Sequence, residues 1–115
     1  MNTHHRINYI EFPARNIGHI KDFYSEAFGW TFTDYGPEYT AFTDGSLQGG
    51  FMKGAKPKGR GPLVILYSKD IAKSQKIVAK CGGTISKPIF DFPGGRRFHF
   101  TDPSGNELAV WSDKK

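Results

Sequence analysis

Cysteine is almost absent from this chain: Cys81 stands alone, so no internal disulfide can form and no cysteine-based metal site is suggested. It reads as a small apolar residue in a helix. Hydrophobic residues are sparse as well, at 37% of the 115 residues, and no apolar run approaches the length that crosses a bilayer. No apolar signal region follows Met1 to Arg6 either, so a cytoplasmic location without a membrane partner is the expectation. The basic residues, finally, lack the arrangement of a nucleic-acid surface. Sixteen Lys and Arg against eleven Asp and Glu leave a net charge of +5, which favours anionic partners. The one basic cluster, Lys53 to Gly61, is rich in Gly and Pro and carries neither interleaved rings nor a recognition helix. It reads as a solvated linker, and no nucleic-acid partner is expected.

What the chain has instead is rings: ten Phe, five Tyr and two Trp, 15% of all residues. The buried area must come largely from these, in one modest domain of residues 1–115. Phe98 to Trp111 reads as a β-hairpin, with Asp102-Pro103-Ser104-Gly105 at the turn and alternating residues on either side. Phe42-Thr43-Asp44-Gly45-Ser46-Leu47 echoes it, so the chain reads as one supersecondary unit written twice.

In the first copy, Arg6 to Pro13 is a strand with Ile7, Tyr9 and Glu11 on one face. Asn16 then caps a helix whose apolar face is Ile17, Ile20, Phe23, Tyr24, Ala27 and Phe28, and Gly29 stops it. Trp30 to Asp34, Tyr39 to Thr43 and Leu47 to Lys53 follow as short strands separated by turns. After a linker at 54–62 the order repeats: strand Leu63 to Ser68, a helix capped by Asp70 that stops at Gly82-Gly83, and strands Thr84 to Ile89, Arg96 to Thr101 and Asn106 to Trp111. The fold class is therefore α+β, two tandem βαβββ units at roughly 6–53 and 63–111. Paired, they would make one curved mixed sheet of roughly eight strands with a concave cup and both helices on the convex side.

Phe23-Tyr24 through Phe28-Gly29-Trp30, Gly49-Gly50, and Asp102-Pro103-Ser104-Gly105-Asn106 with Trp111 resemble the vicinal oxygen chelate superfamily. Its members include glyoxalase I, extradiol dioxygenases and bleomycin-resistance proteins. The resemblance spans nearly the whole chain but implies a fold more than a chemistry. It also implies where a divalent metal would be held, since metal-dependent members place a His on the first strand of each unit and a carboxylate on the last. Those places fall at Tyr9, Gly49 or Gly50, Val64 and Ala109. They form no ligand set, so neither a metal nor another cofactor is expected.

Alternation decides what faces the cup. Leu108, Val110, Phe98 and Phe100 turn to the helices, which leaves Glu107, Ala109, Trp111, Arg97, His99 and Thr101 inward. The first strand adds Ile7, Tyr9 and Glu11, and the fifth adds Val64, Leu66 and Ser68. The candidate ligand-binding residues are therefore Tyr9, Glu11, Arg97, His99, Glu107 and Trp111. Plainer readings stand beside them: a solvated cross-strand ion pair for Arg97 and Glu107, a structural role for His99, and a sheet-edge seal for Trp111. His4, His5 and His19 read as exposed. No catalytic residue is assigned.

The functional expectation is a metal-independent protein of this type that binds a small, aromatic or anionic molecule in the cup. The alternative is a lyase, isomerase or dioxygenase-like enzyme that uses His99 and Glu107 as acid and base or recruits a metal through positions other than the family's. Open sheet edges and a shallow cup further predict a symmetric homodimer.

Overall fold

A computed structural model describes residues 4–5, 7–54 and 61–114. Arg6, where the first strand is expected to begin, and residues 55–60, most of the expected linker, lie outside the described residues. The chain divides into two compact units, Met1–Lys56 and Pro57–Lys115, and both have the order read from the sequence. The first runs β1 (Tyr9–Ala14), α1 (Ile17–Phe28), β2 (Thr31–Asp34), β3 (Tyr39–Thr43) and β4 (Gln48–Lys53). The second runs β5 (Val64–Tyr67), α2 (Ile71–Lys80), β6 (Thr84–Phe92), β7 (Gly95–Thr101) and β8 (Glu107–Ser112). The eight strands are hydrogen-bonded as two four-stranded sheets, β1-β4-β3-β2 and β5-β8-β7-β6. In each, the helix carries the chain over so that the first strand lies parallel to the last, and the other pairs are antiparallel.

The helices begin and end where side-chain chemistry dictates. Asn16 accepts from His19 N at 3.0 Å, and Asp70 from Lys73 N at 3.2 Å, so each supplies an acceptor to a first-turn amide that has no partner within the helix. At the other end Gly29 takes φ +75° and Gly82 φ +106°, conformations that only glycine adopts cheaply. The chain beyond them donates back into the helix, Trp30 N to Tyr24 O and Gly83 N to Val78 O.

Each helix covers one face of its own sheet. Ile20, Phe23 and Tyr24, spaced to share a helical face, are buried, and Tyr24, Trp30 and Phe42 stack in sequence with centroids 4.5 Å apart at each step. Phe51 joins them 5.3 Å from Tyr24. In the second unit Ile71 and Val78 of α2 are buried, as are Phe98, Phe100, Leu108 and Val110 of the sheet. An aromatic core thus fills the first unit and a mixed one the second.

The two echoed turns are built alike. Asp44 Oδ1 accepts from Ser46 N and Leu47 N at 2.8 and 2.7 Å. Asp102 Oδ1 accepts from Ser104 N and Asn106 N, both at 2.9 Å, while its Oδ2 takes Asn106 Nδ2. Gly45 and Gly105 supply the positive φ that each turn needs.

β6 is longer than its sequence suggests. It continues past Ile89, where the sequence reading ends it, to Phe92, with register shifts on both sides of Lys87. Pro88 lacks an N–H, and an edge strand with an irregular ladder is where that loss is tolerated.

Candidate functional site

Pairing register fixes which side chains stand on the face of each sheet opposite its helix. On the first sheet, Glu11 is level with Gly50, Gly50 with Ala41, and Tyr39 with Met52. Tyr9, Glu11, Tyr39, Ala41, Gly50 and Met52 therefore share the open face, as alternation predicts for Tyr9 and Glu11. Tyr9 and Tyr39 hydroxyls lie 2.5 Å apart, and Tyr39 donates to Glu11 Oε1 at 3.0 Å. Because Tyr39 has one hydrogen and gives it to Glu11, Tyr9 must be the donor in the first bond. The chain is directed from Tyr9 through Tyr39 to Glu11. Partial burial, then these two hydrogen bonds, push Tyr39 well above its ordinary ionisation range.

Gly50 makes this chain possible. A Cβ at that position would fall on the hydroxyls of Tyr39 and Tyr9. Gly49, one residue earlier, is closed on the other side by the Ile10 carbonyl and the Phe42 ring. The missed member is Tyr39. Its signal was available, since alternation along Tyr39-Thr40-Ala41-Phe42-Thr43 sets it opposite the apolar Phe42.

On the second sheet Arg97 is level with Trp111, His99 with Ala109, and Thr101 with Glu107. Arg97, His99, Glu107 and Trp111 share the open face, again as alternation predicts. The expected ion pair between Arg97 and Glu107 does not form: the two are not cross-strand partners, and Glu107 Oε2 instead takes His99 Nδ1 at 3.0 Å. Arg97 lies over two rings of β6, 5.5 Å from the centroid of Phe90 and 5.6 Å from that of Phe92. Trp111 stands on an inner strand rather than at an edge, with Tyr67 edge-on at 5.4 Å and Phe92 at 6.5 Å. Tyr67 donates to Asp113 Oδ1 at 2.7 Å, which raises the phenol and lowers the carboxyl.

The fifth strand corrects the sequence reading. Val64 pairs with Leu108 and Leu66 with Val110, so both face α2, and it is Ile65 and Tyr67 that reach the open face. Both are exposed. Ile7, Ser68 and Thr101 are not engaged in either cluster, and His4, His5 and His19 are exposed.

Two buried polar atoms on the second open face have no hydrogen-bond partner: Arg97 Nε and His99 Nε2. His99 is only 4% exposed. His99 Nδ1 is engaged with Glu107 Oε2, and Arg97 Nε–H is a donor. Leaving such a group buried and unpaired costs about 1–3 kcal/mol. Native structures seldom bear that cost without a use.

A divalent metal does not fit the positions to which the resemblance points. Tyr9 is committed to Tyr39, Gly49 and Gly50 have no side chain, Val64 faces the helix, and Ala109 offers a methyl group. Among the described residues, no group of three or more His, Cys, Asp or Glu comes together. Nor is any helix among them long and apolar enough to cross a membrane.

Residues 6–110 match the family described as the Glyoxalase/Bleomycin resistance protein/Dioxygenase superfamily. No curated protein matches the chain. Among solved structures, a glyoxalase/bleomycin resistance protein/dioxygenase family enzyme from Burkholderia phytofirmans PsJN is 16% identical, with TM-score 0.81, covering 91% of this chain and 96% of its own. The fosfomycin resistance protein FosX from Mesorhizobium loti is 17% identical, with TM-score 0.80 and coverage of 96% and 93%. A mutant of the genomically encoded FosX from Listeria monocytogenes, complexed with Mn(II) and 1S,2S-dihydroxypropylphosphonic acid, is 14% identical, with TM-score 0.82 and coverage of 95% and 90%. At these identities the likeness is one of fold.

Proposed function

Since the chain belongs to the glyoxalase/bleomycin resistance protein/dioxygenase superfamily, we propose that it binds a small aromatic anion on the open face of its second sheet without the help of a divalent metal. The observation that carries this reading is Arg97: a cation laid across Phe90 and Phe92, with a buried Nε–H that has no acceptor. A carboxylate or phosphonate oxygen supplies that acceptor, and the rings of Phe92 and Trp111 supply area for an aromatic or apolar body. The net charge of +5 favours the same ligands. Support also comes from the Listeria neighbour, whose complex contains a small phosphonic acid. That neighbour also contains Mn(II), whereas Tyr9, Gly50, Val64 and Ala109 give this chain no comparable ligands. The two units belong to one glyoxalase-like domain, a reading supported by a family match that runs through both; a cytoplasmic location is part of the same proposal.

The test is a thermal-shift screen of aryl carboxylates and phosphonates in the presence of a chelator. A ligand at a hundredfold excess over its Kd stabilises the fold by about 2.7 kcal/mol, which is a rise of several degrees in Tm. Arg97→Ala should abolish the rise while lowering the unliganded Tm little, because its two cation–π contacts, each worth about 0.5–1 kcal/mol, are offset by removal of a buried, unpaired Nε–H. A screen in which only metal ions raise Tm refutes the reading.

The assembly belongs to the same proposal. Each sheet ends in two edge strands, and Ile65 and Tyr67 leave apolar surface exposed on one of them. Pairing of such edges across a two-fold axis gives a symmetric homodimer. Light scattering over a dilution series should read the mass of two chains, and the mass of one chain throughout contradicts it.

A further inference from the structure

An anion held by Arg97 alone leaves the second buried atom of this face without a partner. Arg97 Nε and His99 Nε2 are both buried and both unpaired, and the two residues stand two apart on one face of β7. Their side chains leave the strand about 6.6 Å apart, a gap that one oxyanion spans with two charge-assisted hydrogen bonds of about 2.8 Å. One ring lies against both: the centroid of Phe90 is 5.5 Å from the Arg97 guanidinium carbon and 5.9 Å from the centroid of His99. Phe90 stands on an edge strand whose ladder shifts between Lys87 and Phe90, where a side chain has room to turn aside for a ligand. The surrounding charges suit an acceptor. Lys87 of β6 is level with His99, so among the described residues of this face Arg97 and Lys87 set two fixed cations against the one carboxylate of Glu107 on β8. Asp91 of β6 is paired with Arg96 at 3.2 Å, one residue out of phase with Arg97. Tyr67 of β5 is bonded to Asp113, and α2 covers the other face.

We propose that a single carboxylate or phosphonate bridges Arg97 and His99, accepting from both, and that it is held tightly only while the His99–Glu107 pair carries two hydrogens. The proposal rests on the anion-binding reading above and adds a second anchor and a proton to it. The count of hydrogens follows from the geometry and is independent of the ring's state in the free protein. An anion on Nε2 needs a hydrogen there. The 3.0 Å contact of Nδ1 with Glu107 Oε2 needs another, because a bare nitrogen against a bare carboxylate oxygen sets lone pair against lone pair. The pair holds these two as imidazolium with carboxylate or as neutral ring with carboxylic acid, and its net charge is the same either way. With one hydrogen fewer, either the anion faces a bare Nε2 or Glu107 loses Nδ1. The anion therefore favours the protonated pair, and by reciprocity the protonated pair binds the anion more tightly. Affinity is full where the free pair already holds its second hydrogen. It falls by up to about tenfold per pH unit as pH rises from there toward the titration of the complex. Glu107 touches no ligand in this arrangement and is a positioning residue.

The experiment is calorimetric titration of chelator-treated protein with 3-phenylpropionate, which stays a carboxylate from about pH 5.5 to about pH 8.5. Wild-type affinity should fall by at least about tenfold from the acid to the alkaline end, across the range in which histidine titrates. Titrations in buffers of different ionisation enthalpy should read uptake of a proton on binding. His99→Gln keeps an N–H donor but does not titrate, so its affinity should vary by less than about twofold over the same range. In Glu107→Gln the carboxamide donates to Nδ1 and leaves the ring's hydrogen on Nε2. The neutral ring then serves, and the profile should flatten likewise. A merely structural role would not flatten either profile, since misfolding lowers affinity at every pH. If wild-type affinity depends on Arg97 but not on pH, the bridge to His99 is overturned and the binding reading stands. If the fall with pH persists in either variant, the assignment to this pair is overturned. If 3-phenylpropionate is bound at no pH, both readings fall together.

Discussion

His99 and Glu107 are joined at 3.0 Å although neither is the other's cross-strand partner. His99 is level with Ala109, and Glu107 with Thr101, so the contact runs diagonally over the small side chain of Ala109. Ala109 is itself fully buried. A larger residue there would push the imidazole off its carboxylate. Ala109→Leu should therefore destabilise the protein by about 1–3 kcal/mol through overpacking and abolish the low-field Nδ1 proton of His99 in an NMR spectrum. Retention of that resonance with unchanged stability would remove Ala109 from the account.

The two neighbouring glycines of β4 should respond differently to the same substitution. Gly49→Ala drives a Cβ into the Ile10 carbonyl, a backbone atom that cannot step aside, and into the Phe42 ring. Gly50→Ala meets only the hydroxyl ends of Tyr39 and Tyr9, which can swing away. Denaturant unfolding should show Gly49→Ala losing about 1–3 kcal/mol or more. Gly50→Ala should lose less while scattering the Tyr9–Tyr39–Glu11 chain. Equal losses would contradict the geometry.

Alkaline titration reads that chain directly. Burial first, then the bonds with Tyr9 and Glu11, raise Tyr39 above its ordinary value of 10.0. A raised folded-state value means stability that is complete below the unfolded tyrosine's range and is lost as pH rises toward the folded value. Tyrosinate absorbance should accordingly show late-titrating tyrosines, Tyr67 through its bond to Asp113 and Tyr39 through this chain, with the share of Tyr39 identified by its loss in Tyr39→Phe. Glu11→Gln should bring the Tyr39 share part of the way down, because burial remains. A Tyr39 share unaffected by both Glu11→Gln and Tyr9→Phe would show that the hydrogen bonds contribute nothing.

Much of this molecule was legible before folding, and the parts that were not have identifiable causes. Caps and stops at Asn16, Gly29 and Asp70 follow from local chemistry, and they stand where the residues say. Faces were legible on β1, β7 and β8, where polar and apolar residues alternate. They were not on β5, because Leu63-Val64-Ile65-Leu66 is apolar throughout and has no period to read. Only the pairing of Val64 with Leu108 decides its parity. Phe90 and Phe92 were missed as the platform for Arg97, since the sequence reading ends the strand at Ile89 and it in fact continues to Phe92 through an irregular register. The diagonal from His99 to Glu107 was hidden because alternation gives a face, not a partner.

The central claim is that Arg97, and no metal ion, holds an aromatic anion on the second sheet. Its most direct test is calorimetric titration of chelator-treated protein with 3-phenylpropionate, followed by the same titration after Mn(II) is added. The account predicts saturable binding with chelator present, no gain from Mn(II), and at least a tenfold weakening in Arg97→Ala. Binding that appears only after Mn(II) is added, or that is indifferent to Arg97→Ala, would contradict it.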